Sequence, residues 1–295
     1  MEVGCADPYE LFSSVYDSFK ADDNYSELYS ILKGIRAQCS FPLTCPLAWD
    51  VGTGTGLFAE LLAKDGYVTT ATDICPTMIE QAKMRCSSVR YSVADAREEH
   101  PAESYFDLVT AIDDVFNCID SLSGLRATFK NIHLALKGGG LFQFDLVCKK
   151  AFLEYMGSVQ FRGNESVKFL SYPSSPARDE EHQFSMGVFT LRRSASKNSW
   201  YPTLVEFKEY YYEPQTVYRE LQHVGFEFVR VDALGDEGLI ENYSPCLGES
   251  ANKILFLCRK GVRYDYREGR EESSGFRDHQ EHLVGCEGGL PPSHR

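Results

Sequence analysis

Cations are scarce in this chain of 295 residues: 30 Lys and Arg face 43 Asp and Glu, a formal net charge of -13. A surface of that sign repels polyphosphate and anionic lipid, so neither nucleic acid nor a membrane surface is an expected partner. No run of about 18 apolar residues occurs, which excludes a transmembrane helix. The stretch Met1 to Glu10 is acidic and has no apolar core, so no signal peptide is expected and the location reads as cytoplasmic. Ten cysteines are too few for a disulfide scaffold at this length, and none forms a C-x-x-C pair. Cys39 and Cys45, the closest two, have no His or Cys partners at zinc spacing. Free buried thiols and no metal site are therefore expected.

What is present alternates between two periods. Asn24, with Glu27 three residues on, starts a helix over 24–38 that repeats Leu28, Ile31, Leu32 and Ile35 at helical spacing. An aromatic segment, Tyr9 to Phe19, precedes it. Leu47 to Val51 reads as a buried strand, broken by Gly52, Gly54 and Gly56 before Leu57, Phe58, Leu61 and Leu62 take up a helix. Tyr67 to Thr72, Val89 to Val93, Phe106 to Ile112 and Leu141 to Val147 read as further strands, with a helix from Pro76 and another over Ser121 to Leu136 stopped by Gly138 to Gly140. Strand and helix in alternation predict an α/β fold with a doubly wound, Rossmann-like parallel sheet covered on both faces.

Beyond about residue 157 the helices cease. Val159 to Arg162, Val167 to Tyr172, Gln183 to Arg192 and Leu204 to Tyr212 predict an inserted antiparallel β cap. A helix over Pro214 to His223 and strands over Phe226 to Val231 and Ile254 to Cys258 return the chain to the main sheet. The expected division is an N-terminal helical lid segment (1–40), a nucleotide-binding core (41–156 and 213–260), the cap (157–212) and a tail (261–295) too poor in aliphatics to pack.

Asp50-Val51-Gly52-Thr53-Gly54-Thr55-Gly56 stands at the carboxyl end of the first strand, where a doubly wound sheet binds its nucleotide. The dinucleotide fingerprint needs glycine at its sixth position, and Leu57 is there instead. No Gly-Lys-Ser/Thr follows, so a P-loop is also excluded. The run resembles the D-x-G-x-G-x-G motif of class I S-adenosylmethionine-dependent methyltransferases, and Asp73, Ala94-Asp95-Ala96-Arg97, Phe106 to Asp113 and Leu136 to Gly140 resemble their later motifs in order. The turn before the fifth strand departs from that pattern, with Gly138 where the family has proline. Val15-Tyr16-Asp17, Asn24-Tyr25 and the cap are similar to the small-molecule branch containing amino-sugar and glycine N-methyltransferases.

The resemblance implies S-adenosylmethionine as cofactor, held by Asp50, Gly52, Thr53, Gly54 and Gly56, with Asp73 on the ribose. It further implies Met78 on the adenine face and Asp95 at the adenine amine, with Ile74, Ala96, Tyr16, Tyr25 and Asp113 also binding the cofactor. Asp114, Asn117 and Tyr211 are candidates for the acceptor. Bland roles compete at several positions: a helix cap for Asp73, Asp113, Asp114 and Asn117, a solvated loop for Asp95, and packing for Tyr16, Tyr25 and Tyr211. No catalytic base stands out.

The implied activity is methyl transfer to a small molecule, with an amine nitrogen favoured because an amine needs only a free lone pair; a secondary metabolite fits as acceptor. An O- or C-methyltransferase and a catalytically silent cofactor-binding protein remain as alternatives, as does, more remotely, an NAD-dependent oxidoreductase. A homodimer is left open.

Overall fold

The computed structural model describes residues 7–21, 23–38, 46–156, 158–174, 182–194, 199–244 and 251–262. Cys39, Cys45 and the expected tail from residue 263 onward lie outside them. The elements before the insertion are α1 (Pro8–Phe19), α2 (Tyr25–Ala37), β1 (Leu47–Val51), α3 (Leu57–Lys64), β2 (Val68–Asp73), α4 (Pro76–Arg85), β3 (Arg90–Val93), β4 (Phe106–Ala111), α5 (Leu122–Ala135) and β5 (Leu136–Val147). A short helix α6 (Lys149–Ala151) and a π-type turn then lead into β6 (Gln160–Gly163), β7 (Val167–Pro173), β8 (Gln183–Arg193) and β9 (Trp200–Tyr210). The chain closes with α7 (Pro214–Val224), β10 (Phe226–Gly235), β11 (Gly238–Ile240) and β12 (Lys253–Lys260).

The large sheet runs β11-β10-β12-β5-β4-β1-β2-β3. Its five strands from β5 to β3 are parallel, whereas β12, β10 and β11 join antiparallel. The chain leaves β1 toward β2 and β3 and then returns to β4 on the other side, so a crevice opens at the carboxyl ends of β1 and β4. Alternate residues of β1 serve opposite faces: Trp49 packs with Phe129 and Ile132 of α5 and Leu221 of α7, while Ala48 packs with Leu32 of α2 and Leu62 of α3.

The second sheet, β6-β7-β8-β9, is antiparallel throughout. Its apolar face, with Phe169, Phe184, Met186, Val188, Val205 and Phe207, packs on Phe12, Val15 and Phe19 of α1. Among the described residues no helix is long and apolar enough to cross a membrane.

Local chemistry explains most boundaries. Asn24 caps α2 by accepting from the Glu27 amide at 3.1 Å, and its own amide donates to the Glu27 carboxylate at 2.7 Å. Two expectations differ. Gly138 to Gly140 do not end a helix in a loop; β5 already begins at Leu136 and carries them as an irregularity against β4. A side chain at Gly140 would meet Phe106 O at 3.1 Å, so glycine serves a close strand approach there. The last cap strand begins at Trp200 rather than Leu204 and stops at Tyr210, because Pro202 sits on an edge strand, where its missing N–H costs no ladder bond.

Candidate active site

The loop after β1 uses its glycines for different purposes. A Cβ at Gly52 would lie 2.7 Å from the Val115 methyls, and one at Gly56 would lie 2.8 Å from the Tyr91 hydroxyl and 3.0 Å from Ala82. Both are packing requirements. Gly54 differs: its φ is +54° and a Cβ there would meet nothing within 4 Å, so its open face looks into a cavity.

That cavity, about 200 Å³, is lined by Gly52, Gly54, Asp73, Ile74, Met78, Asp95 and Ala96, with Tyr9, Tyr16, Asp113 and Val115 at one side. Asp73 ends β2 and accepts from the Gly54 amide at 2.8 Å and the Cys75 amide at 2.9 Å. Burial raises its carboxyl above the ordinary value, and these two amides offset only part of the rise. Asp95 accepts Arg97 Nε at 3.0 Å and Nη2 at 2.7 Å, and that hydrogen bonding lowers its carboxyl. An open glycine face, an acid on the loop amides and an apolar wall at Ile74 and Met78 fit a nucleoside carrying a polar tail.

A second cavity of about 590 Å³ lies between the cap and the sheet edge and shares Tyr9, Tyr16 and Asp113 with the first. Phe12, Phe19, Phe152, Met186 and Phe207 form its apolar wall; Lys20, Asp113, Asp114, Glu209 and Lys253 are among its charged groups. Asp113 is the hub. It accepts from Lys20 Nζ at 2.8 Å, from Lys253 Nζ at 3.0 Å, from Tyr16 at 3.5 Å and from Tyr25. Lys253 also reaches Asp145 at 2.8 Å, and Asp145 accepts the Asp113 amide at 2.8 Å. Burial alone would raise the Asp113 carboxyl, but the two lysines outweigh it and hold it well below the carboxylate range. Burial and the Asp113 charge push Asp114 well above its ordinary value. Burial, reinforced by Asp113, keeps Tyr25 protonated far above its usual value.

The sequence candidates thus divide. Tyr16, Gly52, Gly54, Asp73, Ile74, Met78, Asp95, Ala96 and Asp113 line the first cavity, and Tyr25 and Asp114 the second. Asp50 sits behind the loop, accepting from Thr53 at 2.7 Å and Thr110 at 2.6 Å, and burial raises it to about 6. Thr53 and Gly56 serve the loop's shape. Asn117 is fully buried, donating to Tyr210 O at 2.9 Å and accepting the Val147 amide at 3.0 Å. Tyr211 packs in the core beneath the cap. Asp17 holds α1 over the loop by accepting from Thr55 at 2.6 Å and pairing with Arg85.

Sequence reasoning missed Lys20, Lys253, Asp145 and Glu209. Two carried a signal: Asp145 is a buried acid in a strand whose buried residues are apolar apart from Gln143, and Glu209 follows Val205 and Phe207 on the inward face of β9.

A family model described as a methyltransferase domain matches residues 48–140, from β1 to the start of β5. A Geobacillus sp. (strain WCH70) protein named as a methyltransferase is 27% identical over 259 residues, 85% of this chain and 99% of its own length. The chain carries a methyltransferase domain and is an S-adenosylmethionine-dependent methyltransferase. Solved structures agree with the methyltransferase in fold: an S-adenosylmethionine-dependent methyltransferase from Clostridium acetobutylicum has a TM-score of 0.68 at 21% identity, covering 86% of this chain and all of that one. An amino pentose methyltransferase from Micromonospora echinaspora, bound to S-adenosylmethionine, has a TM-score of 0.63 at 17% identity, covering 85% and 96%.

Proposed function

We propose that this methyltransferase alkylates an amine nitrogen of a small molecule held in the capped cavity. The observation that carries this reading is the junction: the glycine-loop cavity and the larger acidic chamber meet at Tyr9, Tyr16 and Asp113. When bound, S-adenosylmethionine supplies a methyl group already made electrophilic by its sulfonium. The chain's own residues then have three tasks. The open face of Gly54 would admit the polar tail, Asp73 would take the ribose hydroxyls on its remaining lone pairs, and Ile74, Met78 and Asp95 would receive the adenine. Asp113 and the rings of Tyr9 and Tyr16 align the acceptor at the junction. The cap and α1 exclude water, and alignment of this kind is worth on the order of 7 to 11 kcal/mol.

An acidic chamber with an aromatic wall favours a cationic acceptor over a phosphate or a carboxylate. The amino pentose substrate class of the Micromonospora enzyme is compatible with that preference. A cytoplasmic setting is consistent with the acidic charge of the chain.

Incubation of a cell metabolite pool with methyl-labelled S-adenosylmethionine, followed by mass spectrometry, tests the reading. The expected product carries the label on nitrogen. Label on a phenol or carboxylate oxygen, or on carbon, would replace it, and no label on any acceptor would make the chain a cofactor-binding protein without turnover.

A further inference from the structure

We infer that Glu209 anchors the ammonium form of the acceptor and takes its proton, an inference that rests on the amine reading above. Four observations converge on this side chain. It lines the chamber from the cap side, at the inward-facing position of β9 that follows Val205 and Phe207, where packing alone calls for an apolar residue. Its strand partner, Phe184, is fully apolar.

The chamber's cations are committed elsewhere. Lys20 binds Asp113 at 2.8 Å and Asp23 at 2.9 Å, and Lys253 binds Asp113 at 3.0 Å and Asp145 at 2.8 Å. Among the described residues the Glu209 carboxylate has neither a hydrogen bond nor an ion pair of its own. A carboxylate removed from water and left unpaired is costly, and a cation entering the chamber relieves that cost.

Burial raises Tyr9, Tyr16 and Tyr25, and the Glu209 charge raises Tyr9 further. Burial and the Asp113 charge raise Asp114, and Lys20 and Lys253 hold Asp113 low. Asp23, bound to Lys20, and exposed Glu154 complete the charged lining. Burial raises Glu209, Lys20 and Lys253 lower it and Asp113 raises it, to about 7. It is therefore the group that can hold a cation as an anion and then keep a proton.

The step is a proton transfer without redox change. One N–H bond of the ammonium breaks, its electron pair stays on nitrogen as the lone pair that attack requires, and an O–H bond forms at Glu209. In this role Glu209 touches the acceptor and is a catalytic residue.

Two measurements test the inference without relying on turnover. Difference infrared titration of the full-length protein, wild type minus Glu209→Gln, should show a carboxyl that loses its acid band near pH 7; a band lost below pH 5 would overturn the assignment. Calorimetry at pH 8 with S-adenosylhomocysteine present should show benzylammonium bound at least tenfold more weakly by Glu209→Gln. Benzyl alcohol and S-adenosylmethionine should change less than twofold, the latter certifying the fold, and Glu209→Asp should restore part of the loss. Equal weakening of both probes, or no weakening of benzylammonium, would overturn it. Metabolite labelling separates the two readings: label on oxygen removes the amine reading, whereas label on nitrogen with unchanged benzylammonium affinity in Glu209→Gln removes the role of Glu209 alone.

Discussion

In the cofactor cavity each acid is held by its own neighbourhood. Asp73 accepts amides from the adjoining loop and from two residues ahead, and Asp95 is gripped by Arg97 two residues on. In the acceptor chamber the charges are held across the fold: Asp113 follows β4, Lys20 follows α1 and Lys253 opens β12. The first arrangement exists once a β-α-β unit has formed. The second exists only when the N-terminal helix, the switch point and the antiparallel edge are all in place, so the donor site belongs to a motif and the acceptor site to the whole chain.

The sharpest way to break this comparison is Asp113→Ala, which strips two partly buried lysines of their shared anion. It should cost about 3 to 5 kcal/mol in denaturant unfolding. Asp95→Ala, which removes a local and half-exposed pair, should cost no more than about 1 kcal/mol; equal losses would erase the distinction. Next comes the loop. Gly54→Val should weaken S-adenosylmethionine binding on the order of a hundredfold, about 2.7 kcal/mol, by filling the open face. Gly56→Ala should instead lower the melting temperature, since its Cβ meets Tyr91 and Ala82. A loss of melting temperature without a loss of affinity in Gly54→Val would show that the loop is only a turn. Asp73→Ala should weaken the cofactor ten- to a hundredfold, roughly 1.5 to 3 kcal/mol, as read by calorimetry.

The last effect concerns Asp50 and depends on pH. Its folded value of about 6 exceeds the ordinary 3.8. The folded state therefore holds this proton longer than the unfolded state, and the stability it lends is present at low pH and lost as pH rises through that window. Asp50→Asn removes the dependence, so its stability relative to the native chain should climb by about 2 kcal/mol between pH 4 and pH 8. A flat difference across that range would mean that Asp50 ionises as in water.

The same contrast governs what could be read from the sequence. The glycine spacing, Asp73 and the helical repeat of α2 are local signals, and the strands, helices and lining residues they imply appear in the structure close to their expected bounds. The β-rich run starts at Leu204 in the sequence, whereas β9 starts at Trp200, and only the sheet order reveals that β9 is an edge where Pro202 is tolerated. Gly138 to Gly140 give the signal of a helix stop, yet they lie within β5, where Gly140 approaches the Phe106 backbone of the neighbouring strand. Lys20 and Lys253 are unremarkable in sequence because what makes them matter is a shared partner more than 90 residues from either. Glu209 was visible in principle as an acid on an apolar face, but that face could be drawn only once the strand had its true beginning.

Asn117 joins the two places where the chain leaves and rejoins the core, since its amide binds Val147 at the end of β5 and Tyr210 at the end of β9. Everything between them is an excursion of roughly 60 residues, whose closure costs about 4 kcal/mol of chain entropy. One buried side chain fastens that neck without regard to what the excursion contains, because both of its partners are backbone atoms. The cap is in this sense a cassette with a clasp: its strands can be exchanged for others without redesigning the junction, provided that an asparagine stays at position 117 and the strand ends meet it.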